Sequence, residues 1–297
     1  MKILIIGFGS IGKRYHKILL NKKIEIAVHD INLKFNYNKN YKILKNFLDI
    51  KNWQPDGIII SNPSFLHIDT LKRYFNISPK SFLIEKPLDT SLKKICKLDK
   101  LNSKDKKKIF VVNNIEYFLP IKNLLHYKKK IGKIYFSNIT FGHNLNYMRR
   151  KNSKNFLVKK ESGGIILDCI HELMYAEHLF GKILNVNVEY YKLSNIKSNF
   201  SDMARLRLSH KNNIYSFIHL DYFQEVKNRG CEIFGEKGTI SWKSFGKKKM
   251  NNRFNFIKKI RGKENYKKIY LKIDLENQYK EMIKDWINYI KYGKIFL

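Results

Sequence analysis

The chain has only three cysteines in 297 residues, Cys96, Cys169 and Cys231, and they stand far apart. No pair has the short spacing of a zinc ligand set, and a scattered trio builds no disulfide framework. Reduced, mostly buried thiols of a cytoplasmic protein are therefore expected, with no metal site and no disulfide. No apolar run approaches the roughly 18 residues that a membrane-spanning helix needs. The N-terminus passes from Lys2 straight into an apolar strand, which is not the pattern of a secretory signal. Alanine occurs at positions 27, 176 and 204 alone, and arginine only nine times. Acidic residues are also few: 25 Asp+Glu face 59 Lys+Arg, a formal charge of +34. An excess of that size suggests nucleic acid or an anionic surface as partner. The scarcity of arginine argues against this, because the guanidinium is the group that grips phosphate bidentately and reads base edges. Abundant lysine, asparagine and isoleucine are what A+T-rich coding produces. The basic runs 104–108, 128–130 and 247–249 fall in expected loops or helix ends, where a solvated charge is the ordinary state. No specific nucleic-acid partner and no membrane are expected. An acidic small molecule suits the basic field, which speeds its encounter.

What is present is first a pattern. Residues 1–118 alternate short apolar strands with amphipathic segments, as in a parallel sheet covered by helices. Strands are expected at 2–6, 24–29, 57–61, 81–84 and 109–113. One helix follows Gly12 with Ile11, Tyr15, Ile18 and Leu19 on a single face, and another covers 67–75. Segment 33–50 is expected to hold a short helix and a loop. From 119 to 297 the rhythm changes to strands at 132–141, 183–191, 204–209, 214–222, 230–234 and 239–242, the last four joined as consecutive hairpins. A helix over 170–180, stopped by Gly181, interrupts this mostly antiparallel sheet, and an amphipathic helix over 275–292 follows it. The fold class expected is α/β: an N-terminal doubly wound parallel sheet, then an α+β domain on a large open sheet.

Second come three constellations. Gly7-Phe8-Gly9-Ser10-Ile11-Gly12 joins a buried strand to a helix in G-x-G-x-x-G form. Such a turn lets a pyrophosphate meet bare backbone N–H groups at the positive end of the helix dipole. Asp30 ends the next strand, where a carboxylate can hydrogen-bond an adenosine ribose. It favours NAD because it repels a 2′-phosphate; Asn32 and Lys34 nearby leave NADP open. Glu85-Lys86-Pro87 closes a parallel strand at its C-terminal end, where open α/β sheets place ligands. There the Lys86 ammonium can polarise a hydroxyl or carbonyl oxygen; the alternative is one more surface lysine. Asp168 and His171 stand three apart at a helix start, on one face of its first turn. An aspartate that orients a histidine makes a general base near neutral pH. The alternative is a capping Asp with a half-buried His, and His178 reads as structural.

Taken together, these segments resemble the glucose–fructose oxidoreductase / inositol dehydrogenase / rhizopine-catabolism group, the Gfo/Idh/MocA family, over nearly the whole chain. The resemblance rests on the glycine motif at 7–12, Ser61-Asn62-Pro63 with His67, Glu85-Lys86-Pro87, and Gly163-Gly164 leading to Asp168 and His171. The run 235–240 resembles a late strand-turn element of the same family. It implies a Rossmann domain for NAD(P) over 1–118 and a substrate domain over 119–297 whose sheet forms a homo-oligomer interface. It implies hydride transfer between nicotinamide and a sugar, polyol or nucleotide-sugar carbon. Lys86, Asp168 and His171 would be catalytic. Ser61, Asn62, Pro63, His67 and Glu85 would line the nicotinamide half of the site, with Gly7, Phe8, Gly9, Ser10, Ile11, Gly12 and Asp30 on the rest of the cofactor. The form Leu-Asp-x-x-His-Glu-Leu looks like the branch found among surface-polysaccharide genes.

Three departures stand against this. Many members space the acid and base by four residues rather than three, and many carry arginine where Tyr117 stands. Members also usually continue past the tail helix with a further helix that returns to the first domain. The alternative function is a member that holds NAD without turnover, as a sensor or scaffold. Loop 142–160, with Asn144, Asn146, Tyr147, Arg149 and Arg150, is either a hydroxyl- or acid-binding loop or a solvated one.

Overall fold

The computed structural model describes residues 1–20, 22–32, 40–148, 164–196, 200–245, 252–260, 263–271 and 273–294. The chain forms two compact units, Met1–Val112 with the residues from Tyr279 onward, and Asn113–Gln278.

The first unit is built on strands β1 (Lys2–Ile6), β2 (Glu25–His29), β3 (Lys42–Ile43), β4 (Gly57–Ile60), β5 (Ser81–Ile84) and β6 (Ile109–Val111). They lie in the order β3-β2-β1-β4-β5-β6, with every pair parallel. The central strands β4 and β5 are buried along their whole length, as continuous apolar runs covered on both faces should be. Helix α1 (Ser10–Leu20) buries Gly12, Tyr15, Ile18 and Leu19, the face its period foretells. Helices α2 (Phe47–Trp53) and α3 (His67–Phe75) follow, with α4 (Leu92–Ile95) and α5 (Ser103–Lys106) as short turns. Asn46 caps α2 by accepting the Asp49 N–H. Of segment 33–50, residues 33–39, Lys34 included, lie outside the described residues. Lys104, Lys106 and Lys107 are exposed, and so is Cys96, unlike the buried Cys169 and Cys231.

The second unit contains helix α6 (Leu119–Lys128), strand β7 (Ile134–Gly142), the turn α7 (Leu145–Met148), and helices α8 (Gly164–Asp168) and α9 (His171–Phe180). Strands β8 (Ile183–Tyr191), β9 (Met203–His210), β10 (Ile214–Asp221), β11 (Asn228–Gly235), β12 (Gly238–Phe245), β13 (Asn252–Ile260) and β14 (Lys263–Tyr270) complete it. The sheet order is β14-β13-β12-β11-β7-β10-β9-β8. Two hairpins form as expected: Asn212 and Asn213 turn β9 into β10 with positive φ at both, and β11 runs into β12 through Gly235 and Gly238. The expected hairpin between β10 and β11 does not form. Strand β7 lies between them, parallel to β10 and antiparallel to β11. The turn segment after β10 is consumed locally instead, with the buried Asp221 carboxylate accepting the Phe223 and Gln224 N–H groups. Strands β13 and β14 went unread because lysines interrupt their alternation. Lys128, expected in solvent, is half-buried and donates to the Leu179 carbonyl. Residues 247–249 lie outside the described residues.

The tail helix α10 (Asn277–Tyr292) packs on the first sheet, and this corrects the domain boundary drawn through 119–297. Its Trp286 and Ile290 side chains sit so close over Gly57 that a Cβ there would lie 2.9 and 2.6 Å from them. Trp286 Nε1 donates to Ser81 Oγ at 2.8 Å, and Tyr289 OH donates to the Lys107 carbonyl at 2.9 Å. The tail helix itself thus returns to this sheet.

Candidate functional site

In the first unit the glycine turn is assembled by sterics. Gly7 has φ +88, and a Cβ on it would lie 2.4 Å from the Asn62 nitrogen. A Cβ on Gly12 would stand 2.1 Å from the Gly7 carbonyl oxygen, so only glycine lets α1 start this close to β1. Gly9 differs: nothing lies within 4 Å of where its Cβ would be. It therefore borders open space, as a backbone cradle for phosphate requires. Ser10 is exposed and Ile11 partly so, at the start of α1.

Several expected cofactor contacts also brace the turn. Asp30 Oδ2 accepts the Phe8 N–H at 2.5 Å and Oδ1 accepts the Asn32 N–H at 2.8 Å. Each oxygen keeps one further lone pair for an outside donor. The Phe8 ring is buried, 5.0 Å from Tyr41 and 5.7 Å from His16. The Phe8 side chain is thus packed away from solvent. Ser61 Oγ donates to the carbonyls of Gly7 and Ile6 at 2.8 and 3.2 Å. Asn62 Nδ2 donates to Thr70 Oγ1 at 2.8 Å, while Asn62 Oδ1 is buried without a hydrogen bond. That orphaned oxygen and the open space at Gly9 are the two features that fit a dinucleotide carrying amide and phosphate groups. Pro63 is exposed and precedes the turn 64–66.

His67 is almost wholly buried, its Nδ1 2.8 Å from the Pro87 carbonyl oxygen and its Nε2 2.9 Å from that of Asn62. It clamps two loops rather than facing a ligand. Glu85 is buried as well: Oε1 accepts from Tyr15 OH at 2.5 Å and Oε2 from the Lys86 N–H at 3.1 Å. Burial and the adjoining Glu85 carboxylate push the Tyr15 phenol well above its ordinary range. One carboxylate thus ties helix α1 to the turn that carries Lys86, whose bond to Pro87 is cis. Lys86 itself is half-buried at the end of β5. Tyr15 was read from the sequence as core alone; its hydroxyl on a buried helix face was the available signal.

In the second unit Asp168 is not the cap of the following helix. It closes α8, Ile170 precedes α9, and no side chain caps α9. Glu172 N–H bonds to Cys169 O and Leu173 N–H to Ile170 O, so the ladder tightens to three-residue bonds between the two helices. Asp168 and His171 consequently belong to different helices instead of one face of one turn. Asp168 Oδ2 accepts from Tyr222 OH at 3.2 Å, and His171 Nδ1 is buried. Gly181 stops α9 with φ +88, its N–H on Glu177 O, and His178 lies 3.3 Å from Glu116. Tyr117 carries the Lys122 ammonium over its ring at 5.6 Å. Asn144 accepts the Asn146 N–H and donates to Glu225, so it ties its own loop to the segment after β10. Arg149, Arg150, the rest of 149–160, Ser162 and Gly163 lie outside the described residues, as does the side chain of Tyr147.

The pair that sequence reasoning missed is Glu172 and Arg229. Arg229 Nε donates to the buried Glu172 carboxylate at 2.6 Å. Burial acts to lower the Arg229 pKa, but Glu172 outweighs it and holds the guanidinium above its ordinary value. In a chain with nine arginines, one retained beside a strand glycine was the signal. Among the described residues, no three His, Cys, Asp or Glu side chains gather as a metal would need, and no helix is long and apolar enough to cross a membrane.

No curated protein sequence matches the chain. Solved structures share its fold. An oxidoreductase from Desulfitobacterium hafniense, described as NADPH-dependent, superposes with TM-score 0.84 at 11% identity, over 99% of this chain and 88% of that one. The myo-inositol dehydrogenase of Corynebacterium glutamicum gives 0.79 at 18%, over 100% and 90%. The UDP-N-acetylglucosamine 3-dehydrogenase of Acidithiobacillus ferrooxidans gives 0.76 at 16%, over 99% and 90%. Residues 1–113 match the family model for the oxidoreductase family with an NAD-binding Rossmann fold, and residues 121–241 match the GFO/IDH/MocA C-terminal domain. With the glycine cradle, the Lys86 turn and both domains in place, the chain belongs to the GFO/IDH/MocA family of NAD-binding oxidoreductases.

Proposed function

We propose that this protein is a cytoplasmic NAD-dependent dehydrogenase or reductase of a sugar, polyol or nucleotide sugar, serving glycan building. The observation that carries this reading is the Lys86 turn. It closes β5 in the unit that holds the glycine cradle, and Glu85 ties it to the helix that the cradle begins. NAD, when bound, takes up or supplies the hydride. In the oxidation direction the substrate hydroxyl proton passes to His171. Asp168, held by Tyr222, orients that histidine, and the Lys86 ammonium hydrogen-bonds the oxygen on which charge develops. Polyol and sugar-nucleotide substrates are named for two of the structural neighbours above, and the +34 charge suits a diphosphate.

The test is NADH formation with myo-inositol and UDP-N-acetylglucosamine. Lys86→Ala and His171→Ala are each expected to lower kcat by about a hundredfold or more. Undiminished turnover in both variants removes the assignment. A second reading, an NAD-holding member without turnover, draws on Tyr117 and on the break between α8 and α9. It predicts NAD binding with no hydride exchange on either compound.

The oligomer proposal rests on a row across the second sheet. Directly opposed residues Tyr215, Phe136, Phe234, Thr239, Ile257 and Tyr266 share one face over six strands. Phe136 and Phe234 stack at 4.5 Å, while Tyr215, Ile257 and Tyr266 are exposed. A second copy of this sheet is the occupant that an apolar face of this kind fits. Light scattering should give a multiple of the 35.5 kDa chain mass, reduced toward one chain by Phe136→Lys. A wild-type monomer would dismiss the proposal.

A further inference from the structure

His171 opens α9 at a point where the backbone is not set by a continuous helix, since the bonds from Glu172 and Leu173 reach back only three residues. A fixed neighbouring residue there adds to what Asp168 does for the direction of the histidine. The next residue, Glu172, is 1% exposed and pairs with Arg229 of β11 at 2.6 Å. The guanidinium lies 5.9, 5.6 and 5.8 Å from the rings of Phe118, Phe141 and Trp242. One turn later Tyr175 OH donates to the Gly230 carbonyl at 3.4 Å. Successive turns of α9 are thus tied to successive residues of one strand. Lys227 adds a second cation, its pKa lowered by burial and then by Arg229, and Glu172 is the carboxylate that offsets both.

Stability alone does not call for such a pair. Desolvation of two buried charges cancels much of their attraction, and an apolar pair of the same size commonly serves as well or better. What the charged pair supplies is direction, because a guanidinium meets a carboxylate in a narrow set of orientations. We infer that Glu172 and Arg229 are positioning residues that hold His171 in its working orientation. This rests on the reading of His171 as the proton acceptor.

The test is NMR of the full chain with labelled histidine, the His171 ring signals being assigned by their loss in His171→Ala. The double variant Glu172→Leu/Arg229→Met should unfold near the wild-type temperature, because it removes both charges together. Its His171 ring signals should nevertheless be displaced and split among several orientations, while those of His126 and His219 stay in place. Should the double variant fail to fold, Glu172→Gln carries the same readout. Native His171 signals in whichever of the two folds overturn the inference, since the pair would then serve the fold alone. The reading it rests on fails separately: His171→Ala with undiminished turnover removes the catalytic role of the histidine and leaves the positioning result standing.

Discussion

Gly9→Ala is expected to leave thermal unfolding unchanged while weakening NAD binding by about tenfold or more, the loss of one or two charge-assisted backbone hydrogen bonds of about 1.5–3 kcal/mol each. The added methyl enters open space, so nothing in the protein resists it. Gly12→Ala is expected to behave in the opposite way. Its Cβ would meet the Gly7 carbonyl at 2.1 Å, a backbone atom that cannot swing aside. Helix α1 must then shift from β1, at about 3 kcal/mol or more, and the lower unfolding temperature precedes any effect on ligand. Calorimetric titration with NAD and NADP against both variants and the wild type separates the two roles. In the wild type NAD should bind more tightly, because the Asp30 carboxylate at the end of β2 repels a 2′-phosphate. Unaltered NAD affinity in Gly9→Ala would show that the turn is not the phosphate cradle. Tighter NADP binding would overturn the part assigned to Asp30.

The second large effect concerns Asp221, fully buried at the end of β10. Its Oδ2 lies 2.8 Å from His219 Nε2 and 2.5 Å from Gln224 Nε2, and Oδ1 accepts two backbone N–H groups. Burial acts to raise its pKa, but the hydrogen bonds from His219, Gln224 and the turn backbone outweigh that and hold it below the ordinary value. Asp202 is lowered in the same way, its burial outweighed by bonds from Ser194 and Leu193. A carboxylate depressed in the folded state contributes stability that is complete above its unfolded pKa of about 3.9. That contribution is lost as the pH falls through the lower folded value. Asp221→Ala leaves four donors facing an emptied site and is expected to cost about 3 kcal/mol at neutral pH. Urea unfolding across a pH series should show the deficit shrinking below about pH 4, where the wild type loses the same contribution. A deficit that stays constant down to low pH would rule out the ionised carboxylate as its source.

The glycine turn, the parallel strands, α3 and the stop at Gly181 were legible because each is written locally. Apolar period and a few glycines within some ten residues specify them, and the family follows from their order. The partners of the site residues were not legible. Tyr15 reaches Glu85 across 70 positions and Arg229 reaches Glu172 across 57. His67 gave no sign that both of its nitrogens would face carbonyl oxygens. The break between α8 and α9 was hidden too, because the spacing of Asp168 and His171 is also compatible with one continuous helix.

By itself the sequence determined a dinucleotide turn, a parallel first domain, a strand-rich second one and the residue types suited to hydride transfer. Backbone conformation and amphipathic period are short-range properties, so each segment carries its own. Tertiary structure alone decided that β7 lies between β10 and β11, that α10 returns to the first sheet, and that Glu172 is neutralised from β11. Those outcomes depend on which distant surfaces bury one another. Strand pairing and the burial of charge are settled by the competition among all such contacts, and no single window of the chain contains it.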